Sequence, residues 1–401
     1  MTSTIDSGFQ TNDLLSTLGA RESALGGFGP ATTGLAADAI RLLGGVPANE
    51  ALPVTQLGRA FAETLSDPAE SAVALQYSVV HGIEPLRAWV AEHEGTAADR
   101  VLITNGALHG LSLLFGALLD PGDIVAVESP TFPLALRLIG HYGARVVPVP
   151  VSAEGLDLDS LEQRLRDGLR LKLLYLIPDF QNPTGTTLSA ADRARAVGLA
   201  ERYGFVVVSD NPYRDLRFAG TAVDDLSVDS DAVVRVNTFS KTLGPGLRLG
   251  WIVAPSRLVP ALTRLRSNTD QHSSLLTQTA VARLLHTPGT FDGILSTARE
   301  LYRERAAALT SELRDSLPGA VEFDDPEGGI FLWATATDPA VDLATVKTRA
   351  NELGTDFALG RYFDPDGAVR YTDRFRLGFS NNTPEDLRIA VRRVAAAFAT
   401  E

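Results

Sequence analysis

The sequence predicts an α/β protein with a large domain built on a mostly parallel β-sheet, followed by a smaller α+β domain. Short apolar runs such as "RVLITNG", "DIVAVESP" and "FVVVSD" alternate with segments of helical length from about residue 58 onwards. Strands that are apolar on both faces and separated by helices are typical of a parallel sheet covered on both sides. After residue 297 the pattern changes, and "GGIFLWATA" and "DRFRLGFSN" favour antiparallel strands.

These patterns divide the chain into three predicted parts. Residues 1–57 form an N-terminal arm that contributes to the small domain, residues 58–296 form the large domain, and residues 297–401 form the small C-terminal domain. A chain of 401 residues is long enough for this arrangement.

Composition excludes several classes of function. The net charge of −13 argues against a general nucleic-acid or anionic-membrane surface. The chain has no cysteine, and its six histidines show no metal-ligand spacing, so neither a disulfide nor a metal site is expected. The N-terminus lacks the charged and apolar regions of a secretion signal, and no apolar run approaches the roughly 18 residues of a membrane span. The sequence therefore predicts a cytoplasmic protein.

Polar residues follow three neighbouring apolar runs, in "PDFQNPTG", "SDNPY" and "TFSK". Because ligands bind at the carboxyl edge of such sheets, we expect Asn182, Asp210, Tyr213, Ser240 and Lys241 on one rim. Taken alone, each residue has an ordinary structural explanation, but the combination favours a site. The chain has only three lysines, and an amine can form a Schiff base where a guanidinium cannot.

Seven blocks of the sequence resemble the pyridoxal-phosphate (PLP) aminotransferases of fold type I, class I/II. In chain order they are "LQYSVVHGIEPLRAWVAEH", "LITNGALHGLSLL", "IPDFQNPTGTTLS", "SDNPYRDLRF", "NTFSKTLGPGLRLGW", "PEGGIFLW" and "FRLGFS". The resemblance covers about residues 40–395 and is closest to the branch of 2-aminoadipate and broad-range aminotransferases. It implies the PLP-transferase fold with a seven-stranded sheet, a homodimer with shared active sites, and transfer of the α-amino group of an L-amino acid to a 2-oxo acid by a ping-pong mechanism.

The resemblance also implies the residues that hold the cofactor ring. Lys241 would form the Schiff base and move the proton, and Asp210 would pair with the pyridinium nitrogen. Asn182 and Tyr213 would hydrogen-bond the 3-oxygen of the ring. Phe132 would stack on the ring face, where relatives often have tyrosine.

A second group of residues is implied to bind the cofactor phosphate. The backbone of Gly106 and Ala107 lies at a predicted helix N-terminus, which suits an anion. Ser240 would contribute a hydroxyl, with Thr238 as a second candidate. Arg248 follows the glycine-rich turn "LGPGLRLG" and would contribute a guanidinium.

One further phosphate contact is implied to come from the neighbouring subunit. Tyr77 resembles the tyrosine that reaches the phosphate of the partner's cofactor, which would complete the active site only in a homodimer. The alternative interpretation is a core tyrosine at the start of a helix.

The substrate is implied to be an α-amino acid. Arg376 would bind its α-carboxylate with a bidentate fork, and Asn182 would assist. Arg374 shares the strand face of Arg376, so alternation alone does not separate the two, and the motif position favours Arg376.

Three segments could select the substrate side chain: the arm near Gly45, the loop "SNTDQHSS" and the loop "RYFDPDG". In relatives the middle loop enters the neighbouring site. Asp270 and His272 would enter it here, and an acidic Asp270 would favour a basic or polar substrate. The alternative interpretation is that Asp270 is an ordinary loop aspartate exposed to solvent.

Departures from the family pattern leave other reactions open. Relatives often have "SGSQQAL" where this chain has "NGALHGL", which puts Ala107 and His109 in place of a serine and a glutamine. A cyclase, lyase or oxidase of the same fold, acting on an amino acid in specialised metabolism, is the alternative. A DNA-binding PLP regulator is disfavoured, because no basic helix-turn-helix precedes residue 40.

Overall fold

The computed structural model describes residues 14–24, 39–152, 155–367 and 370–399. The chain forms two compact units, Met1–Gly34 and Leu35–Glu401. The described part of the first unit contains one helix, α1 (Thr17–Ala24). All of the predicted site residues belong to the second unit.

The second unit contains all of the β-structure that is described. Its strands are β1 (Ile40–Arg41), β2 (Val101–Thr104), β3 (Ile124–Ser129), β4 (Arg145–Ser152), β5 (Gly155–Leu156), β6 (Leu173–Leu176), β7 (Val206–Asp210), β8 (Val233–Thr238), β9 (Gly250–Val253), β10 (Val321–Glu322), β11 (Phe331–Ala336), β12 (Thr355–Asp356), β13 (Ala358–Leu359) and β14 (Arg374–Gly378). Its helices are α2 (Val54–Ser66), α3 (Pro68–Ala74), α4 (Glu84–Glu94), α5 (Ala107–Leu118), α6 (Pro133–His141), α7 (Leu158–Arg166), α8 (Ala190–Tyr203), α9 (Val259–Ser267), α10 (Leu275–Leu285), α11 (Thr290–Ser316), α12 (Leu343–Glu352) and α13 (Pro384–Phe398).

The large sheet has the strand order β2-β9-β8-β7-β6-β3-β4-β5. Strands β9 and β5 run in the opposite direction to the other six, which confirms the prediction of a mostly parallel sheet. The sheet has one strand more than the seven expected. The additional strand, β5, is a two-residue return at the edge of β4, too short to leave a pattern in the sequence.

The smaller sheet is antiparallel, as predicted, with the order β10-β11-β14-β13. Its central pair, β11 and β14, places Trp333 opposite Arg376. On its other side, β13 places Ala358 opposite Arg376. Arg376 therefore lies in the middle of a sheet, where its backbone is held from both sides.

Apolar side chains cover both faces of the large sheet, because successive strand residues point to opposite faces. Val127, Tyr175 and Val208 lie side by side in register and belong to one apolar cluster. Leu174 and Val207, one position earlier in their strands, belong to a second cluster. The parallel strands of the sheet end at one edge, which brings the loops that follow β7 and β8 together.

A buried charge cluster anchors the loop after β7 to the rest of the unit. Glu94, at the end of α4, accepts two hydrogen bonds of 3.0 Å from Arg214. It also accepts one of 3.2 Å from Arg235 and one of 2.9 Å from the indole N–H of Trp251. Burial alone would raise the pKa of Glu94, but the two guanidinium groups hold it below its usual value. Arg214 follows Tyr213 directly, so the cluster fixes the position of that tyrosine.

Candidate active site

Lys241 ends a short 3-10 helix that begins directly after β8. Its Nζ donates a hydrogen bond of 2.7 Å to the carbonyl oxygen of Gly45. Loss of hydration around the amine lowers the pKa of Lys241 to about 8; Arg376 acts in the same direction and Asp210 opposes it. A substantial fraction of this amine is therefore neutral near pH 8 and able to act as a nucleophile or base.

Asp210 is the last residue of β7 and is buried. Its Oδ2 accepts a hydrogen bond of 2.7 Å from the hydroxyl of Tyr175, while its Oδ1 is buried without a hydrogen-bond partner among the described residues. Burial raises the pKa of Asp210 to about 6, opposed by the Tyr175 bond and by Lys241. Because a buried carboxylate oxygen without a donor is costly, Oδ1 fits a cationic N–H such as that of a pyridinium ring.

Arg376 lies on β14 and is also buried. Asn182 Oδ1 accepts a hydrogen bond of 2.5 Å from Nη1, and the carbonyl of Leu43 accepts one of 2.9 Å from Nη2. The guanidinium lies 3.7 Å from the ring centre of Phe331 and 4.8 Å from that of Phe363. Its Nε is buried without a partner among the described residues, and burial lowers the pKa of Arg376 to about 10. An orientated, unsatisfied guanidinium of this kind fits a carboxylate.

Tyr213 lies close to both Lys241 and Phe331, the residue on which Arg376 stacks. Its ring meets Phe331 edge to face with 6.0 Å between the centroids, and the Lys241 Nζ lies 6.0 Å from its ring centre. Burial raises the pKa of Tyr213, so its hydroxyl keeps its proton and can donate it.

Phe132 is half-buried directly before α6, and the backbone N–H of the preceding Thr131 donates a hydrogen bond to the carbonyl of Phe363.

The start of α5 has a geometry that suits an anion. Gly106 precedes the helix with a φ of 87°, and no side chain caps the first turn. Residues with a side chain rarely adopt this φ, so the turn into α5 favours glycine at position 106. Arg248 donates from Nη2 to the carbonyl of Asn105 at 2.9 Å. The free N–H groups and the guanidinium together suit a phosphate.

The geometry separates the two hydroxyl candidates for this phosphate. Thr238 is buried, and its hydroxyl donates to the carbonyl of Leu249 at 2.9 Å while accepting the N–H of Ser240 at 3.1 Å. Ser240 is half-buried, and its Oγ lies 2.8 Å from that of Thr238. Because the Thr238 proton is donated to Leu249, the Ser240 hydroxyl donates to Thr238 Oγ1 and would have to rotate to donate to a phosphate. Its greater exposure makes Ser240 the better candidate of the two.

These residues fit pyridoxal phosphate, and the comparisons with known proteins agree. The sequence model of the family "Aminotransferase class I and II" matches residues 46–394. The chain belongs to this family. The aminotransferase is 35% identical to the 2-aminoadipate transaminase of Thermus thermophilus over 88% of each chain. It is 33% identical to aromatic-amino-acid aminotransferase 1 of Thermococcus litoralis, over 91% of this chain and 89% of that one.

Solved structures of related enzymes share the fold of the aminotransferase. The alpha-aminoadipate aminotransferase of Thermus thermophilus, complexed with N-(5'-phosphopyridoxyl)-L-leucine, has a TM-score of 0.84 and 34% identity over 92% of each chain. The multiple substrate aminotransferase of Thermococcus profundus has a TM-score of 0.88 and 28% identity, over 97% of this chain and 98% of that one. The predictions of fold type I, PLP as cofactor and transamination are therefore confirmed. These relatives give no support to elimination, cyclisation or oxidation.

The interpretation of Tyr77 as a core residue is wrong. The side chain of Tyr77 is 82% exposed, and its ring meets that of His272 edge to face at 5.8 Å. Sequence reasoning also missed Tyr175, because it lies inside an apolar strand and has the appearance of an ordinary core residue.

The contacts of Asp270 do not support the expected preference for basic substrates. Asp270 accepts a hydrogen bond of 2.6 Å from the side chain of Asn105 and one of 3.2 Å from the Nε of Arg266. Its negative charge is therefore balanced within its own chain.

The described residues of the aminotransferase include no group of three or more metal-ligating side chains and no helix long and apolar enough to cross a membrane.

Proposed function

We propose that this aminotransferase transfers the α-amino group of an L-amino acid to a 2-oxo acid in a ping-pong cycle centred on Lys241. The observation that carries the proposal is the pair of unsatisfied buried atoms near this lysine, Oδ1 of Asp210 and Nε of Arg376. One atom fits the ring nitrogen of the cofactor, and the other fits the carboxylate of the substrate. Both residues act electrostatically on Lys241.

The described residues then take complementary roles. Bound PLP supplies an electron sink that acidifies the Cα–H of the amino acid. Lys241 Nζ removes this proton and returns it, as an amine with a lowered pKa can. Arg376 and Asn182 hold the α-carboxylate, which fixes the orientation of the Cα–H. Asp210 keeps the ring nitrogen protonated.

The remaining roles complete the cofactor site. Asn182 and Tyr213 donate to the 3-oxygen of the ring, and Phe132 covers one ring face. Gly106, Ala107, Ser240 and Arg248 bind the phosphate. Gly45 lies against the ring of Phe331 with no room for a Cβ. Its carbonyl accepts a hydrogen bond from Lys241 Nζ, which supports a place for Gly45 beside the substrate.

A single-turnover experiment tests the reaction type. An amino acid added to the holoenzyme without an acceptor should yield one equivalent of 2-oxo acid per active site and then stop, because the amino group stays on the enzyme. Adding a different 2-oxo acid should release the corresponding amino acid and restore the starting absorbance. Continuous release of ammonia without an acceptor would contradict transamination.

We further propose that the enzyme is a homodimer in which Tyr77 reaches the phosphate of the partner's cofactor. Support comes from the exposure of Tyr77 and of the apolar residues around it in sequence, Val73, Leu75 and Val79, since such a patch is typical of an interface. The division into an arm and two domains, with the first boundary after residue 57 and the second after residue 296, and the cytoplasmic location stay predictions.

Subunit complementation tests the shared site. Lys241→Ala chains mixed with Tyr77→Phe chains should form heterodimers in which one site has both an intact lysine and an intact tyrosine. Activity per intact lysine should then exceed that of the Tyr77→Phe protein alone. An active monomer at assay concentration, or a mixture no more active than its parts, would refute the shared site.

A further inference from the structure

Asn105, the residue before the proposed phosphate site, is held by three different partners. Its backbone N–H donates to Nδ1 of His109 at 3.0 Å, and its side-chain amide donates to Oδ2 of Asp270 at 2.6 Å. Its carbonyl accepts from Arg248 at 2.9 Å. The three bonds point in different directions and fix the peptide that leads into Gly106 and the start of α5.

Asp270 is itself held rigidly. Arg266 is fully buried, and its Nε donates to Oδ1 of Asp270 at 3.2 Å. Its other N–H groups donate to the carbonyl of Ile103 and, at 2.9 Å, to the hydroxyl of Ser273. Ile103 lies on β2, which leads directly to Asn105. The loop after α9 is therefore tied to the strand that ends at the phosphate site.

His109 accepts the Asn105 N–H only as a neutral imidazole. Burial holds the pKa of His109 below its usual value; Asp270 opposes this shift, while Arg266 and Arg248 reinforce it. Its Nε2 faces Oδ1 of Asp270 at 3.6 Å. Nδ1 is therefore available as an acceptor near neutral pH.

We infer that Asp270 and His109 are positioning residues for the cofactor phosphate, acting through Asn105. By fixing Asn105 they hold the N–H groups of Gly106 and Ala107 in place before the phosphate binds, which reduces the entropy lost on binding. Neither side chain needs to contact the phosphate. The inference rests on the proposed phosphate site and gives Asp270 a role unrelated to substrate choice.

The Asn105→Ala variant tests this inference, because it removes the bond to Asp270 and leaves the Arg266–Asp270 pair intact. We expect the dissociation constant for PLP to rise about tenfold, as for one lost charge-assisted hydrogen bond. The dissociation constant for pyridoxal, which lacks the phosphate, should not change. Asn268→Ala, at an exposed position two residues before Asp270, is the matched control and should leave both constants unchanged.

A His109→Phe variant, which removes the acceptor for the Asn105 N–H but keeps a ring, should show the same selective loss. In both holoenzymes the ³¹P resonance of the bound cofactor should move relative to wild type. An equal loss for PLP and pyridoxal, or no loss for PLP, would overturn the positioning role. A wild-type chain that does not prefer PLP over pyridoxal would instead overturn the phosphate site itself, so the two failures are distinguishable.

Discussion

Replacement of Lys241 by alanine is expected to lower the rate of amino transfer by about four orders of magnitude, because it removes the base that moves the Cα proton. The measurement is the steady-state rate with a saturating amino acid and 2-oxo acid. The variant should still bind PLP through the Asp210 and phosphate contacts, but without a covalent bond. Borohydride reduction of the wild-type holoenzyme should then fix the cofactor on the peptide that contains residue 241.

Lys172→Ala is the matched control for Lys241. Lys172 lies at the protein surface, 4.0 Å from Asp123, and its loss should leave the rate unchanged. Label on Lys172 or Lys347 after reduction, or a Lys241→Ala variant with near-normal turnover, would refute the assignment.

Replacement of Arg376 by lysine should raise the free energy of the transition state by about 3 kcal/mol, which lowers kcat/KM about a hundredfold. Lysine keeps the positive charge but loses the planar fork and the stacking against Phe331 and Phe363. The loss should be confined to substrates with an α-carboxylate. Any residual activity towards amines without that group should be unaffected.

The same substitution at Arg374 provides the control. Arg374 lies on the same strand face, but its side chain is 41% exposed and its nearest ionic partner is the neighbouring Asp373. Arg374→Lys should therefore leave kcat/KM unchanged. If Arg374→Lys showed the larger loss, or if amines lost as much activity as amino acids, the carboxylate role of Arg376 would be wrong.

The sequence predicted the position of the site because that position follows from a general property of parallel sheets. Asp210 and Lys241 come directly after apolar runs, and parallel strands end at one edge, so their proximity did not depend on any particular contact. Alternation could not separate Arg374 from Arg376, since both point to the same face. The position in the family motif favoured Arg376, and the physical difference between the two is burial, which depends on the helices and loops that cover the sheet.

Contacts between distant segments could not be predicted. The bond between Asn105 and Asp270 joins residues 165 positions apart, and nothing in the sequence near Asp270 identifies its partner. Tyr175 supports Asp210 from the neighbouring strand, but its apolar surroundings predict only a core residue. Local patterns report burial and periodicity, whereas these roles depend on which loops meet after folding.

The Glu94 cluster limits how this protein can change over evolutionary time. Loss of the Glu94 carboxylate would remove the closest ionic partner of Arg214 and Arg235 and leave both with Asp225, at the longer distances of 3.7 and 3.9 Å. Removing one side of a buried ion pair is costly when the charge that remains is poorly compensated. Replacement of Glu94 and both arginines by apolar side chains would in turn leave Asp225 without these partners, so that carboxylate has to change with them. We therefore expect natural variants to keep Glu94, Arg214, Arg235 and Asp225 together or to replace all four.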